Sequence, residues 1–261
     1  MIQQPYYTID FTATYCKFEV LVNDIPIISL ETEGQMSPNI PINFGIYKSG
    51  KQKIEINIFP IAEKDSIDST SKFEYTIKLF DVYGGNFYHV KDCINNQIEI
   101  NQKLPGIKHS SFFEADIPYI INSFEDSIDL FSVMKNNSFN IYNNLDLVYN
   151  KIKDCFTNKQ YDVLSEIIKN REKNMATSMY LSEADINSRI KSLIADSENG
   201  FLPMPLPLNK VLKIYGDGKL ATYKKSNGEP AFFLYNQNTG EELMLDLIFH
   251  IPKGKTEFEV C

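Results

Sequence analysis

Tryptophan is absent from this chain, arginine occurs only at Arg171 and Arg189, and histidine only at His89, His109 and His250. Proteins that hold nucleic acid draw most of their affinity from basic groups on phosphates. With two arginines and a net charge of -8, the sequence predicts no nucleic-acid partner. The cysteines, Cys16, Cys93, Cys155 and Cys261, include no C-x-x-C pair and no regular spacing. A disulfide framework of the small secreted kind is therefore not expected, and free thiols are. No apolar run approaches the ~20 residues a membrane-spanning helix needs. The opening Met-Ile-Gln-Gln-Pro lacks the basic and apolar regions of a secretory leader. The expected setting is cytoplasmic, with no membrane span.

Catalytic signatures are also missing. No G-x-S-x-G elbow is present. Gly84-Gly85 has no phosphate-loop context, and Gly216-Asp217-Gly218-Lys219 joins two strand patterns with no helix to receive a phosphate. Asp196 to Gly200 places its glycine one position early for a calcium loop and reads as a helix end. His89 and Cys93 lie four apart, with His109 further on, as candidate metal-ligand types. On an extended strand, however, residues four apart stand roughly 13 Å apart. No metal, no cofactor and no catalytic residue are assigned from the sequence.

What is present is a substantial core composition: 43% hydrophobic, 23% charged and 13% aromatic, all of the last Phe and Tyr. Abundant lysine, asparagine and isoleucine suit a bacterial-type, AT-rich source. The size predicts two domains.

Residues 1–124 read as strands. Tyr6 to Thr12, Thr14 to Val22 and Ile25 to Leu30 are rich in β-branched and aromatic residues, with Asn23-Asp24 as a turn. Gln52 to Pro60 alternates with period two, placing Ile54, Ile56 and Ile58 on one face and Glu55, Asn57 and Phe59 on the other. Phe73 to Val82 alternates again. Shorter strands are expected at 87–90, 98–101 and 112–120. Many strands with regular turns predict an antiparallel β-sandwich, jelly-roll-like. The succession of turn, glycine and alternating strand closed by proline at Gly50 to Pro60 resembles carbohydrate-binding sandwich domains. That resemblance implies exposed aromatics on one face, for which Tyr6, Tyr7, Tyr15, Tyr47 and Tyr88 are candidates.

Residues 125–141, with Asn136-Asn137-Ser138, read as a linker. From 142 the apolar period becomes helical: Leu145, Val148, Ile152 and Phe156, then Leu164, Ile167 and Ile168. Ser182 with Asp185 three residues on forms a capping box, and Asn199-Gly200 ends the helices. Pro203, Pro205 and Pro207 enforce an extended connector. Hairpins over 209–261, marked by Gly216 to Gly218, Asn227-Gly228 and Asn238 to Gly240, predict a meander of four or five strands. Helices packed on such a sheet make residues 142–261 an α+β domain. This order resembles the cone-shaped nuclear-transport-factor-2 and cystatin folds.

Such a cone would hold a small-ligand cavity, with Tyr215, Tyr223, Tyr235, Asp246 and His250 as candidate lining. Asp246 and His250 are expected on one solvated strand face, with Leu243, Leu245, Leu247 and Phe249 on the core face. The leading expectation is a non-enzymatic protein-binding chain. Its acidic balance suits a basic protein partner, as for an immunity-type protein that neutralises a toxin or for a secretion accessory. Oligomeric state is not legible.

Overall fold

A computed structural model describes residues 2–62, 64–100, 103–121, 124–135 and 140–261. Among the described residues the fold is mixed: a large curled antiparallel sheet, four helices and two small sheets. The chain divides into two compact units, Met1–Ile121 with Ser178–Tyr180, and Asn122–Thr177 with Leu181–Cys261.

The first unit is organised by β1, Pro5–Val22. Tyr7, Ile9, Phe11 and Ala13 point inward, and then the phase slips, so that Cys16, Phe18, Val20 and Val22 do. The slip lies at Tyr15, whose φ of 48° and broken register mark a bulge between Thr14 and Cys16. One extra residue restores the inward face after a bend. The two expected strands at 6–12 and 14–22 are therefore one strand, bent where the sequence changes phase.

Before the bend β1 pairs β5, Lys72–Tyr83; after it β1 pairs β4, Gly50–Phe59. Its other edge carries β3, Asn39–Pro41, and β2, Ile25–Met36, which follows a tight turn with positive φ at Asn23 and Asp24. The sheet ends at β6, Asn86–Ile98, paired to β5, and at β7, Ile107–Ala115, paired to β4. All seven strands thus belong to one sheet, in the order β6-β5-β1-β4-β7 with β2 and β3 on β1. Of the strand expected at 98–101, only Ile98 is extended, as the last residue of β6; Glu99 and Ile100 lie outside any strand, and Asn101 lies outside the described residues. Over 42–47, Asn43–Gly45 forms a 3-10 turn.

The core gathers Ile54, Ile56 and Ile58 of β4 and Phe73, Tyr75 and Ile77 of β5 against both halves of β1. The rings of Phe11, Phe18 and Phe73 meet at 5.3 Å centroid separations. Glu55, expected on the outer face of β4, is also buried, at 5% exposure. Lys53 Nζ at 2.7 Å and Lys108 Nζ at 2.6 Å neutralise it. Asn43, fully buried, accepts from Tyr7 N–H (2.6 Å) and donates to the Pro5 (3.0 Å) and Ser178 (3.1 Å) carbonyls.

The second unit opens with α1, Leu130–Lys135. Asn136, Asn137 and Ser138 lie outside the described residues, as does Asn122. Helix α2, Ile141–Thr157, is capped by Asn140, whose side chain accepts from Asn143 N–H. It buries Leu145, Tyr149, Ile152 and Phe156. Helix α3, Tyr161–Met179, follows. Helix α4, Glu183–Glu198, begins with the reciprocal Ser182–Asp185 capping box. Glu172 on α3 is buried between Arg171 and Arg189, the chain's two arginines.

The meander expected over 209–261 is instead two sheets. One has the order β14-β13-β10-β9: Glu259–Val260, Phe249–His250, Leu220–Lys224 and Val211–Tyr215. The other is β12-β11-β8: Glu241–Met244, Phe233–Asn236 and Phe201–Pro203. The Asn227-Gly228 turn forms, and after it the bonds from Lys225 N–H to the Glu229 carbonyl (2.7 Å) and from Ala231 N–H to the Tyr223 carbonyl (3.1 Å) flank an isolated bridge between Lys224 and Pro230. Beyond that bridge Tyr223 N–H donates to the Tyr149 hydroxyl at 3.2 Å, and the ladder stops. The segment expected as a single strand at 242–250 leaves one sheet at Met244 and joins the other at Phe249. Between them the Leu247 carbonyl accepts from the Thr222 hydroxyl (2.6 Å) instead of from a strand.

Candidate functional site

The residues proposed as a cavity lining in the second unit occupy separate, engaged positions. Tyr223 is buried and stacked on Tyr149 at 5.5 Å, and its hydroxyl donates to the Tyr142 carbonyl. Burial, with Asp146 nearby, pushes its phenol up. Tyr215 is buried at 4% exposure and Tyr235 is half-buried in β11. Asp246 accepts from the buried Lys224 Nζ through both carboxylate oxygens, at 2.8 and 2.7 Å.

His250 corrects the expectation of a solvated face. It is 9% exposed, and its Nδ1 lies 2.7 Å from Ser127 Oγ. Of the expected core face, Leu247 and Phe249 are buried, while Leu243 and Leu245 are half-buried. Burial lowers the imidazole's pKa from 6.5; Glu259 works against that and Lys255 with it. The unfolded chain therefore binds a proton that the fold refuses, so stability falls as pH drops below about 6.5. Urea unfolding at pH 7 and pH 5 should show a larger loss for the native chain than for His250→Gln. Parallel losses would place the acid sensitivity elsewhere.

Of the residues weighed for metal, His89 pairs with Asp92 at 2.8 Å and His109 Nε2 lies 3.2 Å from the Tyr75 hydroxyl. Cys93 is a half-buried free thiol packed against the core. Among the described residues no three His, Cys, Asp or Glu side chains gather to hold a metal ion. No described helix is long and apolar enough to cross a membrane.

The unabsorbed chemistry lies in the first unit, at the β5–β6 hairpin. Gly84 and Gly85, both at positive φ, make its turn. Asn86 to Asp92 are seven consecutive exposed residues of β6, so both faces of the ribbon meet solvent there. Opposed residues of an antiparallel pair share a face. One face carries Val82 and Phe87, then Phe80 and His89, with Tyr6 beside them. Phe87 meets Tyr6 edge-on at 5.0 Å and remains 57% exposed. The other face carries Tyr83 and Tyr88, stacked at 4.3 Å and 49% and 43% exposed.

That second face leads into a cleft of about 750 Å³. Its buried lining is Pro5, Tyr7, Leu79, Ala115 and Ile117; its exposed rim includes Lys91 of β6, Glu114 of β7 and Asp116 just past the end of β7. Tyr7 spans the cleft's end, its hydroxyl accepting from Asp116 N–H at 2.9 Å. Binding sites commonly form at such openings of curled or closed sheets. A second cleft, of about 550 Å³, lies between α3 and α4 and is lined mainly by charged side chains, Glu172 among them. A third, of about 340 Å³, lies over β1, β5 and β6 near Asp10 and Glu74. None of the three is lined by Tyr215, Tyr223, Tyr235, Asp246 or His250.

Of the aromatics named for a sugar face, Tyr88 is exposed, Tyr6, Tyr15 and Tyr47 are half-buried and Tyr7 is buried. Tyr83 and Phe87 were missed. A signal existed in the adjacent apolar pairs Val82-Tyr83 and Phe87-Tyr88 flanking Gly-Gly. Neighbouring residues face opposite ways on a strand, so a hairpin with one buried face must expose one of each pair. No protein family, curated protein or solved structure matches the chain.

Proposed function

We propose that this chain is a non-enzymatic binding protein that holds a partner protein through the β5–β6 hairpin. The observation that carries this reading is the exposure of aromatic rings on both faces of the hairpin, Tyr83 and Tyr88 on one and Phe87 on the other, with Val90 beside them at 43% exposure. Aromatic side chains supply most of the energy at protein interfaces, and contiguous exposed ones mark such surfaces. The engagement of Asp246 by Lys224 and of His250 by Ser127 supports a non-catalytic reading. The net charge of -8 supports a basic partner, and with it the immunity-type version in which a toxin is neutralised. Free thiols at all four cysteines support a cytoplasmic setting. Entry of both halves of β1 into one core supports a sandwich-like, jelly-roll reading of the first unit. The division of the second unit's strands into two sheets weakens the cone reading.

The test compares tagged native chain with a Phe87→Ser/Tyr88→Ser variant in lysate of the source organism. Hot-spot truncation costs about 2 kcal/mol or more, roughly 30-fold in affinity. One protein captured by the native chain and reduced at least tenfold by the variant is the expected result. Equal capture by both, or capture by neither, would sink the proposal. A second reading, carbohydrate binding, is favoured by the stacked Tyr83–Tyr88 pair beside a cleft with polar rim groups. A sugar placed against that pair should change tyrosine emission in the native chain and leave it unchanged in a Tyr83→Ser/Tyr88→Ser variant.

A further inference from the structure

The two ends of the curled sheet differ. β6 is broken by register shifts near Val90 and Cys93, which disrupt a regular ladder on its free edge. β7 pairs β4 in unbroken register from Ile107 to Ala115. Among the described residues, its other edge has no strand partner. At one end that edge is approached by β6, where Asn96 Nδ2 lies 3.4 Å from Ser111 Oγ. Towards Glu114 and Asp116 the same edge borders the 750 Å³ cleft, with Tyr7, Leu79 and Ile117 beneath and Lys91 on the far bank. An unprotected, regular strand edge is a template for another strand.

The rim chemistry selects what fits. Glu114 is exposed and has no ion-pair or hydrogen-bond partner among the described residues. Asp116, two residues on, accepts only a 3.3 Å bond from the Ser49 hydroxyl at its side chain. Side chains two apart on an extended chain share a face. The β7 bank therefore presents two carboxylates on one face, and Ala115 and Ile117, which belong to the apolar floor, on the other.

We propose that the free edge of β7 receives an extended segment of a partner protein, added as a strand. Its main chain bonds to β7, alternate side chains seat apolar groups on Tyr7, Leu79 and Ile117, and lysine or arginine meets Glu114 and Asp116. This deepens the protein-binding reading and rests on it. Strand addition draws affinity from main-chain bonds and specificity from pockets for alternate side chains.

The test pans a phage-displayed random 12-residue library on the purified full chain. Enriched sequences are then measured as synthetic peptides by fluorescence anisotropy. Alternating apolar and basic residues should be enriched. N-methylation of one alternate set of peptide amides should weaken binding at least tenfold, and of the other set hardly at all. Glu114→Lys should weaken binding at least tenfold with far-UV circular dichroism and melting temperature unchanged. No enrichment, enrichment of acidic sequences, equal losses from both methylation sets, or indifference to Glu114→Lys would overturn the proposal. A concentration-dependent dimer abolished by Glu114→Lys would also overturn it, by assigning the edge to a second copy. The parent reading fails separately: lysate capture lost with Phe87→Ser/Tyr88→Ser but intact with Glu114→Lys leaves hairpin binding standing and removes only the β7 edge.

Discussion

Tyr149→Ala is expected to lower the stability of the second unit by about 3–5 kcal/mol, the range for removing a large buried aromatic. Tyr149 is 2% exposed and stands where α2 meets both small sheets. Its ring stacks on Tyr223 at 5.5 Å, meets Phe249 edge-on at 4.8 Å and lies 5.9 Å from Phe232. Its hydroxyl accepts from Tyr223 N–H at 3.2 Å and lies 3.1 Å from Thr222 Oγ1. The substitution therefore leaves a cavity and also orphans a buried backbone donor. Tyr149→Phe separates the two effects. It keeps the ring and loses the hydroxyl, so it should cost about 1–3 kcal/mol, the penalty for an unpaired buried group. Urea titrations followed by circular dichroism give both values. A Tyr149→Ala loss under about 1 kcal/mol would mean the core closes over the gap, and the contact geometry would carry far less than its burial implies.

Asn43→Ala is the second large effect, with an expected loss of about 2–4 kcal/mol from the first unit. The side chain continues the hydrogen-bonding of β3 past Pro41 by accepting from Tyr7 N–H, beside the backbone bond from Ile42 N–H to the Tyr7 carbonyl. After truncation the Pro5 carbonyl keeps the Tyr180 hydroxyl as donor, at 2.9 Å. The Tyr7 N–H keeps nothing of the kind. Asn43→Asp supplies a discriminating control. It retains the acceptor but buries a charge facing two carbonyls, which raises the carboxyl's pKa in the fold. The folded protein then binds a proton more readily than the unfolded chain. Stability should therefore recover as pH falls through that raised value. A pH-independent Asn43→Asp loss would show that water reaches the site.

Where a single local rule governs, the sequence was a reliable guide. Ile54, Ile56 and Ile58 alternate because one face of β4 is buried, and the Ser182–Asp185 box closes on itself within four residues. The errors arose where a residue answers to distant neighbours. Tyr15 looks like one more strand aromatic, and only the phase change around it betrays the bend. The Asn227-Gly228 hairpin starts as expected, yet the Tyr149 hydroxyl, from a distant helix, takes the Tyr223 N–H, and the ladder ends there. The Asp246 and His250 pairing assumed one straight strand through 242–250, and the change of sheet between Met244 and Phe249 removed its premise. The exposed hairpin was overlooked for the opposite reason: aromatic residues suggest burial, although the adjacent apolar pairs beside Gly84-Gly85 require that one of each be exposed.

The bend at Tyr15 also sets a timetable. β1 precedes every strand it needs; β2 follows at once by a hairpin, but the other partners end at Pro41, Phe59 and Tyr83 in the sequence. A growing chain adds about 5–20 residues per second, so the earliest segment waits seconds for its neighbours. During that wait its aromatic and isoleucine-rich face is uncovered. Pairings this remote in sequence close slowly, because the entropy of the intervening loop is lost before any contact repays it. The first unit should therefore be the slower folder of the two and the one more dependent on chaperones at birth. The second unit's first three long helices come from contiguous sequence and can assemble as soon as they are made.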